Sequence, residues 1–141
     1  MFKAIRWAMA GPTKPKKGAR LSCYLLDEGG GSFGIVGESH YQATIRHTME
    51  ADGRSFVPML VREPDNPYDG NAVAVHSAHG LLGYVSRDDA PDWQPLLQAL
   101  EERGYDAAAC GGRVVGGEPG KPSLGVMVDA PPPQDIVIED D

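Results

Sequence analysis

The sequence predicts a mainly β chain with one principal helix, arranged as a small, partly open β-barrel. Three observations predict it. Short segments rich in Val, Ile, Tyr and Phe recur between turn signals from residue 33 onward. Gly 18 and Pro 12 in 141 residues favour turns over long helices. Only residues 86–104 read as a helical region. Many short strands with one helix fit a barrel that does not fully close.

The elements follow in order. Residues 1–26 hold Lys3, Arg6, Lys14, Lys16, Lys17 and Arg20 and no acid, and 11–20 is Gly, Pro and Lys rich, as in a flexible linker. Leu21–Leu26 reads as a short apolar strand, and 27–32 as a Gly-rich loop. Strands are expected near 34–48 (bulged), 55–63, 71–77 and 81–85. The short turn Ser77-Ala78-His79-Gly80 makes the last two a hairpin.

The helix comes next. Ser86 and Asp89 have capping-box spacing, with Asp in place of the usual Glu. Trp93, Leu96, Leu97 and Leu100 fall at i, i+3, i+4, i+7, and Gly104 is a stop. Pro91 and Pro95 argue for a short turn near 86–90 and a main helix over 92–103. Strands near 106–115 and 123–128 complete the unit. The organisation expected is a basic arm, short strand and Gly-rich loop over 1–32, one domain over 33–128, and an acidic, Pro-containing tail over 129–141. That tail is expected to be mobile or to pair only at an edge, and neither arm nor tail to be needed for folding.

Composition narrows the function. No run approaches the ~18 apolar residues of a membrane span. The N-terminus lacks the apolar stretch of a secretory signal, so a reducing cytoplasm is expected, with Cys23 and Cys110 as buried or semi-buried thiols. The net charge of -7 argues against broad coating of DNA. Because the bases gather in the arm and five acids in 129–141, the balance leaves room for a small local site.

Several catalytic or cofactor patterns fail on their context. Gly29-Gly30-Gly31-Ser32-Phe33-Gly34 matches G-x-G-x-x-G but precedes an expected strand, not a helix. Around Gly120-Lys121-Pro122-Ser123, Val115 and Pro122 stand where a P-loop needs Gly and Ser/Thr. His76 and His79 sit at a hairpin with no third ligand, so neither a metal nor a metal-dependent hydrolase is expected. No nucleophile motif presents itself. The reading is therefore a non-enzyme without cofactor.

The informative stretch is Leu60 to Val75, LVREPDNPYDGNAVAV. Pro64 and Pro67 fix their own φ and extend the residues before them. Gly70 offers a positive φ. Asp65, Asn66, Asp69 and Asn71 are side chains that bond nearby backbone. Such a loop is stiff and displays Tyr68 beside Asp69. The bland reading is that Asn66, Asp69 and Asn71 cap the turn with Tyr68 packed beneath it, and that Tyr84 faces the core.

This block, preceded by Val36-Gly37-Glu38-Ser39-His40-Tyr41-Gln42 and followed by Gly80-Leu81-Leu82-Gly83-Tyr84-Val85-Ser86-Arg87-Asp88-Asp89-Ala90, resembles the HIRAN domain over about residues 33–128. The resemblance implies an OB-like fold. It also implies a module found free-standing in bacteria or attached to SWI/SNF-type DNA-remodelling ATPases, with a role in DNA repair. The best understood member grips the free 3′-hydroxyl of single-stranded DNA during fork reversal. Carried over, Asp69 accepts a bond from the terminal hydroxyl and would repel a terminal phosphate. Tyr68 stacks on a base, Asn66 bonds a base edge or holds the loop, and Tyr41, Tyr84 and Arg87 line the same groove, with Arg87 on phosphate. Ser39 and His40 stand where that member has an arginine and a tyrosine, a departure that removes one charge and one large ring. The function implied is recognition of a single-stranded DNA 3′ end, with a helicase or SWI/SNF-type ATPase supplied in trans. The alternative is a non-catalytic protein-interaction adaptor that partners such an ATPase.

Overall fold

The computed structural model describes residues 4–8, 20–27 and 29–139. The expected linker at 11–20 therefore lies outside the described residues, apart from Arg20. Among them, ten strands form two sheets. The first sheet has the order β1 (Ala4–Ala8), β2 (Arg20–Leu25), β8 (Ala107–Ala109), β5 (Met59–Arg62), β6 (Val73–Ser77), β7 (Gly80–Tyr84). The second has the order β3 (Phe33–Gly34), β10 (Lys121–Asp129), β9 (Gly111–Glu118), β4 (Ser55–Phe56). All pairs are antiparallel except β2 with β8. The fold is mainly β, and the barrel is not closed.

Two corners join the sheets. The expected strands 55–63 and 106–115 each bend from one sheet into the other, the first at Val57-Pro58 and the second at Cys110. Both bends meet, for the Cys110 amide donates to the Pro58 carbonyl at 3.2 Å. The approach is close enough that a Cβ on Gly112 would stand 2.7 Å from the Pro58 ring, so only glycine fits there. At the other end, Val36 just beyond β3 bridges Tyr84 of β7. There a Cβ on Gly83 would lie 2.5 Å from the Val36 carbonyl oxygen.

The helices pack over this frame. Helix α2 (Ala90–Glu102) buries Trp93, Leu96, Leu97 and Leu100, the stripe expected from spacing. It is continuous through Pro95 and has Pro91 in its first turn, where a missing amide costs nothing. Ser86 and Asp89 engage each other ahead of it, Ser86 Oγ donating to Asp89 Oδ2 at 2.9 Å.

The expected strand at 34–48 is a correction. It is instead the two-residue β3, a 3-10 turn at Glu38–His40 and a second helix, α1 (Gln42–Asp52). Ile45, Thr48 and Met49, at i, i+3, i+4, form its inward face, and Gly53 ends it at φ 87 with its amide on the Met49 carbonyl. Only three residues carry this helical period, and two of them are β-branched, which is why the segment reads as a strand. The tail also differs from expectation. Ile136 and Ile138 pack against the core, and the Glu139 amide donates to the Tyr24 hydroxyl at 2.8 Å. Neither is an edge-strand contact, and Ala130 is itself buried.

The main core lies between the sheets and helices and includes Ile35, Ile45, Leu60, Val75, Leu82, Trp93 and Val126. Cys23 and Cys110 are free and buried, and burial pushes each thiol up to about 12. No helix among the described residues is long and apolar enough to cross a membrane.

Candidate nucleic-acid interface

A groove of about 960 Å³ opens where the β5–β6 connection faces the segment between β3 and α1. Val36, Ala72 and Val85 are among its apolar lining, and Tyr41, Tyr68, Tyr84 and His40 bring rings to it. Glu63, Asp65, Asn66, Asp69 and Arg87 supply its polar groups.

One wall is the connection 63–72, closed at its base by the Glu63 amide on the Ala72 carbonyl at 2.9 Å. The Asn66 amide returns to the Glu63 carbonyl, and the Ala72 amide to that of Asp69, so the loop is two successive turns. Asn66 holds them together. Its Oδ1 accepts from the amides of Tyr68 (2.9 Å) and Asp69 (3.2 Å), and its Nδ2 donates to Glu63 Oε1 at 3.0 Å. Asp69 Oδ1 accepts from the Asn71 amide at 2.9 Å. Gly70 does not use the positive φ expected of it; the side-chain bonds make the turn without it.

These bonds leave Tyr68 displayed, with 87% of its surface exposed, rather than packed beneath the loop. Arg87 fastens the loop from the opposite side. Its Nη2 donates to the Tyr68 carbonyl at 2.9 Å, and its Nε lies 3.6 Å from Asp69 Oδ2. The Arg87 side chain nonetheless stays 74% exposed. Helix α2 steadies the loop's end through Gln94 Nε2, which donates to the Asn71 carbonyl at 2.8 Å.

The other wall is clipped to β10 by side chains. Gln42 acts like a strand neighbour of Leu124, with Nε2 donating to its carbonyl at 2.8 Å and Oε1 accepting from its amide at 2.9 Å. Glu38 Oε2 accepts from the Val126 amide at 3.1 Å. Between these anchors His40 and Tyr41 turn their rings into the groove, centroids 6.3 Å apart.

Tyr84 stands on the floor, half-buried, and its hydroxyl donates to Glu63 Oε1 at 3.0 Å. Burial first, then that bond and the charge of Glu63, push its phenol above its ordinary range, so it stays a donor.

Of the residues singled out by sequence, Tyr41, Asn66, Tyr68, Asp69, Tyr84, Arg87 and His40 line this one groove. Ser39 does not: it is exposed in the 3-10 turn and absent from the lining. Asn66 is committed to the loop by three of its bonds. Sequence reading missed Glu63, which joins Asn66 to Tyr84, and Glu38 and Gln42, which set the second wall. Glu63 had a faint local signal, an acceptor three residues before an amide side chain ahead of a turn. Among the described residues no three His, Cys, Asp or Glu side chains gather to hold a metal ion.

The family model of the HIRAN domain matches residues 29–110, more than half of the chain and all of the groove lining. The chain belongs to the HIRAN domain family. The HIRAN domain is a nucleic-acid-binding module and is not itself catalytic. Neither a curated protein nor a solved structure matches the chain.

Proposed function

We propose that the groove of this HIRAN domain receives the 3′-hydroxyl end of a single DNA strand. The observation that carries this reading is the pairing of Tyr68, 87% exposed above the groove, with Asp69, whose carboxylate is fixed in the same wall. An exposed ring gives a base a stacking face worth about 1–3 kcal/mol. A carboxylate accepts from a free hydroxyl and repels a terminal phosphate. Tyr41 and His40 extend the aromatic surface from the facing wall, and Arg87, largely exposed, has donor capacity left for one phosphate. Ser39 takes no part. With Glu63, Asp65 and Asp69 in the groove against one arginine, the site suits a strand end and not a duplex backbone. The chain then supplies recognition, and a motor ATPase acting on the same DNA is its natural partner in repair.

The test is fluorescence anisotropy with oligonucleotides ending in 3′-OH or 3′-phosphate. Asp69→Asn keeps an acceptor for the Asn71 amide but loses the charge. It should erase the preference for 3′-OH, a change of about 1.5–3 kcal/mol, without altering the melting curve. Tyr68→Ala should weaken all ends equally. A parent chain with no preference for a free 3′ end at low salt favours instead the adaptor reading, to which the same acidic groove would lend itself as a seat for a basic peptide.

A further inference from the structure

The strand-end reading leaves open what the groove asks of the terminal base, and Glu63 bears on that. Its Oε1 already accepts two bonds, from Asn66 Nδ2 and the Tyr84 hydroxyl. Its Oε2 has no partner among the described residues, although Glu63 lines the groove. A glutamine would satisfy Asn66 and Tyr84 equally well through its carbonyl oxygen. What the carboxylate adds is a second acceptor that the loop does not need.

The neighbouring groups have the same polarity. Asp65 lines the groove, is exposed, and has no hydrogen-bond partner among the described residues. Asn66 Oδ1 is taken by two amides, and the Tyr84 proton by Glu63, so the Tyr84 oxygen can only accept further. This side of the groove is therefore rich in acceptors and poor in donors.

Resting on that strand-end reading, we infer that the groove selects a terminal base carrying an exocyclic amino group (cytosine, adenine or guanine) and discriminates against thymine. A carboxylate oxygen accepts from cytosine N4 or adenine N6. Thymine offers such an edge one donor, N3–H, with the carbonyl oxygens O2 and O4 on either side of it. That donor serves one carboxylate oxygen only with O2 and O4 beside it, so acceptor faces acceptor. The other carboxylate is desolvated without a donor, which is unfavourable.

The experiment uses the whole chain and four 3′-OH oligonucleotides that differ only in the last base, with deoxyuridine as a fifth. Cytosine and uracil differ only in the pattern of donors and acceptors on one edge, so that pair needs no variant. Binding to a terminal dC should exceed binding to a terminal dU roughly 5- to 100-fold, the range of one good base-edge contact. Glu63→Gln keeps an oxygen for Asn66 and Tyr84 and presents an amide NH2 to the base. It should shift the preference toward dT and dU. Equal affinities for all five ends, with 3′-OH still preferred over 3′-phosphate, overturn the selectivity and spare the strand-end reading. No binding to any end overturns both.

Discussion

The two walls of the groove are built by opposite means. In the 63–72 loop the bonds that set the shape are local: Asn66 to Glu63, Tyr68 and Asp69, and Asp69 to Asn71. In the 38–42 segment they run to β10, from Gln42 to Leu124 and from Glu38 to Val126, 82 and 88 residues away. The first wall takes its turns from bonds within a few residues, and Arg87, Gln94 and Tyr84 then tie it to the rest of the fold. The second exists only when the sheet it leans on has formed. Aromatic display on one side thus rests mainly on local turns, and on the other on bonds to a distant strand.

Breaking the second wall should cost the most. Gln42→Ala removes both bonds to Leu124, a buried strand residue whose amide and carbonyl then lack partners on that side. Leaving buried backbone groups unpaired costs about 1–3 kcal/mol each. Urea unfolding should show a loss of about 2–4 kcal/mol, with DNA binding falling in step as Tyr41 loosens. A loss below about 0.5 kcal/mol would mean that water replaces the Gln42 bridge and that the walls do not differ.

The same contrast explains what was legible in the sequence. Asn66, Asp69, Tyr68 and the prolines define the loop within a few residues of one another, so their residue types disclose it. The stripe of α2 is equally local, four large apolar residues at helical spacing, and it is buried as expected. Helix α1 had only Ile45, Thr48 and Met49 to announce it, set in β-branched company. Gln42 and Glu38 announce nothing, because their partners are chosen by tertiary arrangement. The splitting of two expected strands at Pro58 and Cys110 was illegible for a related reason: apolar alternation continues through a corner even as the strand changes sheets. The tail's place on the core is fixed by Ile136 and Ile138, two residues too few to outweigh its acids and prolines.

A proton tests the sheet beneath both walls. His76, in β6, is buried, and its Nδ1 has no hydrogen-bond partner among the described residues. Burial lowers its pKa from 6.5 to about 4, against the opposing pull of Glu63. The unfolded imidazole binds its proton below about pH 6.5 and the folded one only below about 4. Between those values the unfolded state holds more protons, so stability falls as the pH falls. The loss by pH 4 should be on the order of 3 kcal/mol. His76→Leu should flatten that part of the stability-against-pH curve relative to the parent. Parallel curves would mean that His76 opens to water before it titrates, and that the platform is looser than the walls it carries.

The smallest effect on stability should come from breaking the loop wall. Asn66→Ala deletes three bonds at once, but two of them satisfy amides of a surface loop, one exposed and one part-buried, where water can replace much of the lost oxygen's role. The expected cost is about 1 kcal/mol, within the usual range for a turn-capping side chain. Its effect on binding should be larger than that cost suggests. Without Asn66 the amides of Tyr68 and Asp69 are no longer held in one orientation, and Tyr68 has almost no packing of its own to keep it in place. Affinity for a 3′-OH strand should drop about tenfold or more while the unfolding midpoint barely moves. The Gln42 variant should lose both together, so a plot of binding loss against stability loss separates the walls. If Asn66→Ala destabilises the chain as much as Gln42→Ala, the loop is welded into the cooperative core through Gln94 and Arg87, and the distinction between a local wall and a tertiary one fails.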